Sequence, residues 1–148
     1  MTTQATHHDA KLILKLYDLR REPRLRDARK WFGSAPQFQS REEWLKICPA
    51  GSEENASYRM VVTYWEMVAS LVASGALNAE LFYASGLEML FIWEKIRILL
   101  PEVRAAQKNP MLYRNLEHVA TQFLAHMKTG SPEWYDGFFA PMIAKAGR

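Results

Sequence analysis

Apolar side chains recur along this chain at steps of three and four, and no segment alternates convincingly with the period of two that a half-buried strand needs. Leu12, Leu16 and Leu19 predict a first helix over about 9–21, stopped or kinked by Pro23, which has no amide to donate. A second helix is expected over 24–32, ending at Gly33, followed by a loop over 35–39. Ser40 with Glu43 three residues on reads as a capping box opening a short third helix that ends near Cys48-Pro49. Ser52 is the expected cap of a long fourth helix, and Gly75 suits the left-handed position after its end. Asn78 then caps a short helix over 78–84. Ser85-Gly86-Leu87-Glu88 reads as a second capping box, opening a sixth helix that runs to about Leu100. Pro101 kinks that helix or starts a turn ending near Lys108. Asn109-Pro110 and Ser131-Pro132 each pair a cap with proline at the first helical position, and so predict the last two helices.

Two of these helices are apolar around most of their circumference. The fourth carries Tyr58, Val61, Val62, Trp65, Val68, Ala69 and Val72, with a narrow polar line through Arg59, Thr63, Glu66, Ser70 and Ser74. The sixth carries Met89, Ile92, Trp93, Ile96 and Leu99, with a second apolar line around Glu94. Helices of this kind are surrounded rather than laid on a surface. Short connections favour antiparallel neighbours. The expected fold is therefore all-α, a single-domain antiparallel bundle of about six to eight helices over residues 1–148, with residues 1–9 a frayed tail.

Composition narrows the class. The chain has 148 residues, enough for one domain with a real core. Its 49% hydrophobic and 12% aromatic content argues against disorder. A single cysteine, Cys48, rules out an intrachain disulfide and reads as a small buried thiol. The polar start, Met1 to Ala10, lacks the apolar stretch of a signal peptide. The longest apolar run, about 60–77, contains Glu66 and Gly75, so no membrane span is expected. A cytoplasmic location follows as an expectation. Charge is uneven: ten Lys/Arg face six Asp/Glu up to Cys48, and nine face ten beyond it. The excess lies in Arg20, Arg21, Arg24, Arg26, Arg29 and Lys30, a candidate surface for nucleic acid or anionic lipid. The plainer reading is a solvated face with local ion pairs.

Candidate chemistry is sparse. Glu66 and Glu94 each follow a tryptophan on an apolar helix. Two carboxylates brought together in a low-dielectric interior would make an acid/base pair, and inward-facing ones could hold two metals. Di-metal bundles need Glu-x-x-His, which neither residue has. The plainer reading makes each a structural carboxylate, with Arg97 three residues beyond Glu94. His118 and His126 stand eight residues apart and do not converge as ligands, and His7 and His8 sit in the tail. No Gly-x-Ser-x-Gly, no phosphate-cradling glycine loop and no Walker motif is present. These residues assign no catalytic, cofactor or metal role.

The run Tyr64-Trp65-Glu66-x-Val68-x-x-Leu71-Val72-x-x-Gly75-x-Leu77, followed by Trp93-Glu94-Lys95-Ile96, resembles a bacterial family of small helical domains of unknown function. In that family a helix with a W-E or F-E pair leads through L-V-x-x-G-x-I/L into a second helix with another W-E. The upstream Pro23-x-x-Arg26-x-x-Arg29 also fits, and the likeness covers about 11–104. It implies an all-helical fold, no assigned activity and no inherited catalytic residue. Many relatives carry an N-terminal membrane helix, from which this chain departs in its polar start. The expected function is an interaction or regulatory module. Its surplus apolar helix surface, with five Trp, seven Met and seven Phe, points to self-association as a homodimer, or to a protein partner. The alternatives are a nucleic-acid-associated module on the basic segment and a small-ligand binder or enzyme with Glu66 or Glu94 in an interior pocket.

Overall fold

The computed structural model describes residues 3–147. Among them are nine α-helices and no strand: α1 (His7–Arg20), α2 (Pro23–Ser34), α3 (Arg41–Ile47), α4 (Glu53–Ala73), α5 (Ala79–Tyr83), α6 (Glu88–Ile96), α7 (Leu100–Gln107), α8 (Arg114–Gly130) and α9 (Ala140–Lys145). A π-turn, Tyr135–Phe139, leads into α9. The fold is the expected single all-helical domain. The helix count exceeds the expected range because the sixth predicted helix is broken at 97–99, with Pro101 in the first turn of α7.

α4 is the axle. It buries Tyr58, Val61, Val62, Tyr64, Trp65, Val68, Ala69 and Val72. α2 and α8 pack along it, and α6 lies against both α8 and α4. α6 is buried as expected, from Met89 through Ile96 except Phe91. One aromatic cluster joins α2, the following loop and α4: the Phe38 and Tyr58 rings are 5.8 Å apart, and Trp44 of α3 lies 5.2 Å from Tyr58. Another joins α5 to α8, where Tyr83 stacks on Phe123 at 4.4 Å. Each fully buried Phe or Leu side chain contributes about 1.5–3 kcal/mol through removal from water. Burial pushes the Tyr58 phenol far above its ordinary value.

Helix ends follow the sequence where the cap is local. The Ser40, Ser52 and Asn78 side chains each accept the amide three residues on. Gly75, at φ 82°, takes the left-handed position after α4. Pro23 opens α2 at its first turn, behind a Glu22 carboxylate that accepts the Arg24 and Leu25 amides. The segment expected to fray is tied down from Thr3 onward. Thr6 and Asp9 form a capping box, so α1 starts at His7, and Asn78 Nδ2 donates to Thr3 O at 2.6 Å.

Three predicted helix starts are corrected. Ser131-Pro132 caps nothing: the chain turns there, passes through the π-turn, and α9 begins at Ala140 with no side-chain cap. Asn109-Pro110 does not open α8. Asn109 Oδ1 accepts the Met111 amide in a local turn, and α8 begins at Arg114 after Tyr113 at φ 55°. Ser85 caps nothing, and α6 begins at Glu88 with no side-chain cap, because the Glu88 carboxylate is drawn to two arginines. Gly86 is required at this corner for another reason: a Cβ there would lie 2.3 Å from the Phe82 ring. The α6–α7 break has its own partners. Gln37 Nε2 donates to Glu94 O at 2.9 Å and the Phe38 amide to Lys95 O at 3.1 Å, occupying carbonyls that a continuous helix would offer to residues 98 and 99.

Candidate functional site

The two carboxylates singled out by the Trp-Glu near-repeat do not meet. Each is committed to different partners. Glu66, on α4, reaches across to the start of α8. Its Oε2 accepts the Leu116 amide at 2.7 Å, and its Oε1 accepts Asn115 Nδ2 at 2.9 Å and the Asn115 amide at 3.3 Å. It satisfies orphan amides that a local cap would otherwise serve, and it places negative charge at the positive end of the helix macrodipole. Arg59, on the same polar line, donates instead to Asn55 Oδ1 at 2.9 Å.

Glu94, on α6, is 3% exposed. Its Oε1 accepts Arg97 Nε at 3.0 Å and Tyr135 Oη at 3.0 Å. Its Oε2 is buried and has no hydrogen-bond partner. Three other buried side-chain atoms among the described residues share that condition: Trp44 Nε1, Trp65 Nε1 and Arg104 Nη2. Only the Glu94 atom belongs to a carboxylate. Burial first, and the Glu94 contact second, raise the Tyr135 phenol above its ordinary value.

Lys95, the next residue, is also 3% exposed and was not singled out from the sequence. Its Nζ donates to Phe32 O at 2.8 Å, Gly33 O at 2.8 Å and Ala35 O at 2.6 Å. These are the carbonyls at and just beyond the last turn of α2, so the ammonium is a C-cap delivered from another helix. All three of its protons are engaged, which leaves none for a ligand. Burial pulls its pKa down from 10.5 to about 8, so it is still protonated at neutral pH. The signal available in the sequence was a lysine inside the same apolar run that makes Glu94 conspicuous.

Half of the basic segment is paired with carboxylates of the fold. Arg29 pairs bidentately with Glu88, Nε to Oε1 at 2.8 Å and Nη2 to Oε2 at 2.8 Å, and its Nη1 donates to Arg20 O at the end of α1. The Glu88 hydrogen bond raises the Arg29 pKa further. Arg20 Nη1 reaches the same Glu88 at 3.1 Å, with its guanidinium near the Tyr17 and Trp65 rings at 5.2 and 5.4 Å. Arg24 pairs with the exposed Glu53 at 3.0 Å. Arg21, Arg26 and Lys30 are exposed and make no salt bridge among the described residues. Glu88 at the hub was read from the sequence only as a capping residue.

A family model of a domain of unknown function, DUF4760, matches residues 5–123. The chain belongs to the DUF4760 family. No curated protein and no solved structure matches it. The DUF4760 match spans α1 to the middle of α8, so both carboxylates, Lys95 and the Glu88 hub lie inside it. The π-turn and α9 lie beyond it.

Among the described residues, no three His, Cys, Asp or Glu side chains come together as metal ligands, and no helix is long and apolar enough to cross a membrane. His118 and His126 are both exposed, with the His126 ring 4.8 Å from Tyr83. Cys48 is a buried free thiol, pushed up to about 11 by burial. Six large apolar side chains are exposed among the described residues, two of them, Met111 and Phe138, away from α1. Along α1, Leu14 is 68% exposed, Tyr17 53% and Leu19 40%, and Met67 of α4 is 41% exposed. A cavity of about 190 Å³ runs between α1, α4 and α5, with Leu14 and Tyr17 at its edge and Trp65, Val68 and Phe82 in its wall. A shallower hollow beside it is edged by Leu19 and Met67 and floored by Leu25 and Met60, and Tyr64 lines both.

Proposed function

We propose that this chain is an interaction module that self-associates through the α1 flank. The observation that carries the reading is that α1 exposes large apolar side chains on both sides of its ridge, Leu14 and Tyr17 beside one apolar hollow and Leu19, with Met67 of α4, beside a second. Exposed apolar side chains gathered beside hollows mark an association surface. The partner of choice is a second copy, because a two-fold axis lets one patch serve both sides. The ridge supports this choice. Lys11, Lys15, Asp18 and Glu22, all exposed, run along the ridge of α1 between the hollows, so the same ridge of a second copy offers it charges of both signs. The patch is small, which places the association in the weak, transient class.

The nucleic-acid reading has less behind it, since Arg20 and Arg29 hold ion pairs with Glu88 inside the fold and Arg24 is paired at the surface. The small-ligand reading loses Glu66 to the cap of α8. Light scattering on the full chain at ~100 μM, a concentration that reveals weak association, tests the proposal. The native chain gives a mass above the monomer, and Leu14→Glu with Tyr17→Glu returns it to the monomer with an unchanged melting temperature. A native chain that is strictly monomeric there overturns it.

A further inference from the structure

After α8 ends at Gly130, the chain passes through exposed Ser131, Pro132 and Glu133, makes the π-turn and runs into α9, whose main neighbour in the body of the fold is α6. The whole segment follows residue 123, where the family match ends. It is held as a strap. Phe139 is fully buried, edge-on to Phe91 at 5.0 Å and stacked on Trp134 at 4.6 Å. Ile143 is buried four residues later, and Tyr135 donates to Glu94 Oε1.

Two observations mark the seat of the strap as incompletely served. Along one edge of it a half-open hollow of about 250 Å³ lies between Phe32, Phe91 and Ile92 of the body and Met142 and Ile143 of the strap, with Arg29 and Glu88 also in its wall. Glu94, meanwhile, keeps an unsatisfied Oε2 under the strap. Its other donor, Arg97, sits on its own helix and remains whatever lies above, whereas Tyr135 offers a single proton to a group with two acceptor oxygens. A buried unpaired oxygen is a standing penalty on the strapped arrangement. The π-turn, an irregularity that favours functional positions, falls at the residues that make these contacts.

We propose that the strap is a replaceable occupant, and that the α6 face beneath it is a docking groove for an amphipathic helix of a partner protein. That helix would carry an aromatic and a branched aliphatic residue at i and i+4, matching Phe139 and Ile143, with an arginine or lysine four residues before the aromatic, in the place of Tyr135. A guanidinium there supplies donors to both Glu94 oxygens, which the tyrosine cannot, and pairs charge with charge. A bulkier aliphatic residue at i+4 fills the hollow. The groove shares none of the four side chains of the α1 flank, so the two surfaces stand or fall separately.

The test uses the full chain and a synthetic peptide of residues 131–147 carrying Tyr135→Arg. Backbone amides of the strap exchange with deuterium at least ~10-fold faster than those of α4 and α6, as for a separately opening unit. The peptide binds Phe139→Ala, whose own strap is loosened, at least ~10-fold more tightly than the native chain. Glu94→Gln reduces its advantage over the unsubstituted peptide. Tyr135→Phe, which removes only the hydroxyl, shifts binding the same way as Phe139→Ala and guards against a folding defect in the latter. Strap amides that exchange as slowly as the core, or a peptide that binds both strap variants no better than the native chain, overturn the proposal.

Discussion

At the scale of single residues, the charged groups withdrawn from water in this domain mostly serve the ends of helices, Glu94 excepted. Glu66 supplies the cap that α8 lacks locally, and Lys95 supplies the one that α2 lacks. Glu66→Ala strands the Leu116 amide and should lower stability by about 1–2 kcal/mol in urea unfolding, the usual cost of a lost N-cap. Lys95→Met should cost more, because it strands three carbonyls at once. Lys95 also gives a pH signature. The unfolded lysine titrates near 10.5 and the native one near 8, so between these values the unfolded chain holds a proton the native chain has released. Native stability therefore rises with pH across that window, on the order of 1 kcal/mol per unit. Subtracting the Lys95→Met curve isolates it from the tyrosines and Cys48. Unfolding curves at pH 7 to 10 that run parallel for the two proteins would refute this assignment. Glu66 and Glu94 were legible in the sequence as unusual positions, and Arg97 as a neighbour of Glu94. Their other partners were not, because those are backbone amides, an asparagine and a tyrosine set beside them only by tertiary packing.

At the scale of elements, the periodicity placed the helices apart from α7, read only as a kink or a turn, and local caps placed half of the starts assigned to them. Ser40, Ser52 and Asn78 behave as their spacing predicts. Two of the three misplaced starts share one cause, a long-range group outcompeting a local signal. α8 begins where Glu66 can reach it and not at Asn109-Pro110, and Glu88 leaves the predicted capping box for Arg20 and Arg29. That hub fastens α1 and α2 to α6. A double-mutant cycle on Glu88→Gln and Arg29→Met should therefore return a coupling of about 1 kcal/mol or more, as for groups sharing one hydrogen-bonded network. Additive single effects would reduce the hub to a surface contact. The arginine-rich segment read as a possible binding patch because the carboxylates that neutralise it lie 29 to 68 residues away.

At the scale of the whole molecule, the surplus apolar surface that suggested a subunit interface is mostly wrapped inside the chain. α4 and α6 are enclosed by α2, α8 and the C-terminal strap, and of the large apolar side chains left exposed four lie on α1 and its border with α4, with Met111 and Phe138 elsewhere. The expectation of self-association therefore rests on different residues from those that first suggested it. The apolar period shows which faces are sticky, but not which of them a neighbouring helix of the same chain will cover. Leu14 and Tyr17 continue the apolar character of α1, and only the packing reveals them as unpartnered. Hydrogen exchange of the native chain, followed from ~5 to ~200 μM across the range where weak association sets in, tests the central claim most directly because it locates the interface as well as detecting it. The account predicts that amides of residues 13–19 and those around Met67 become slower as concentration rises, while α7 and the strap are unaffected. Exchange along α1 that is identical at both ends of the series would contradict it.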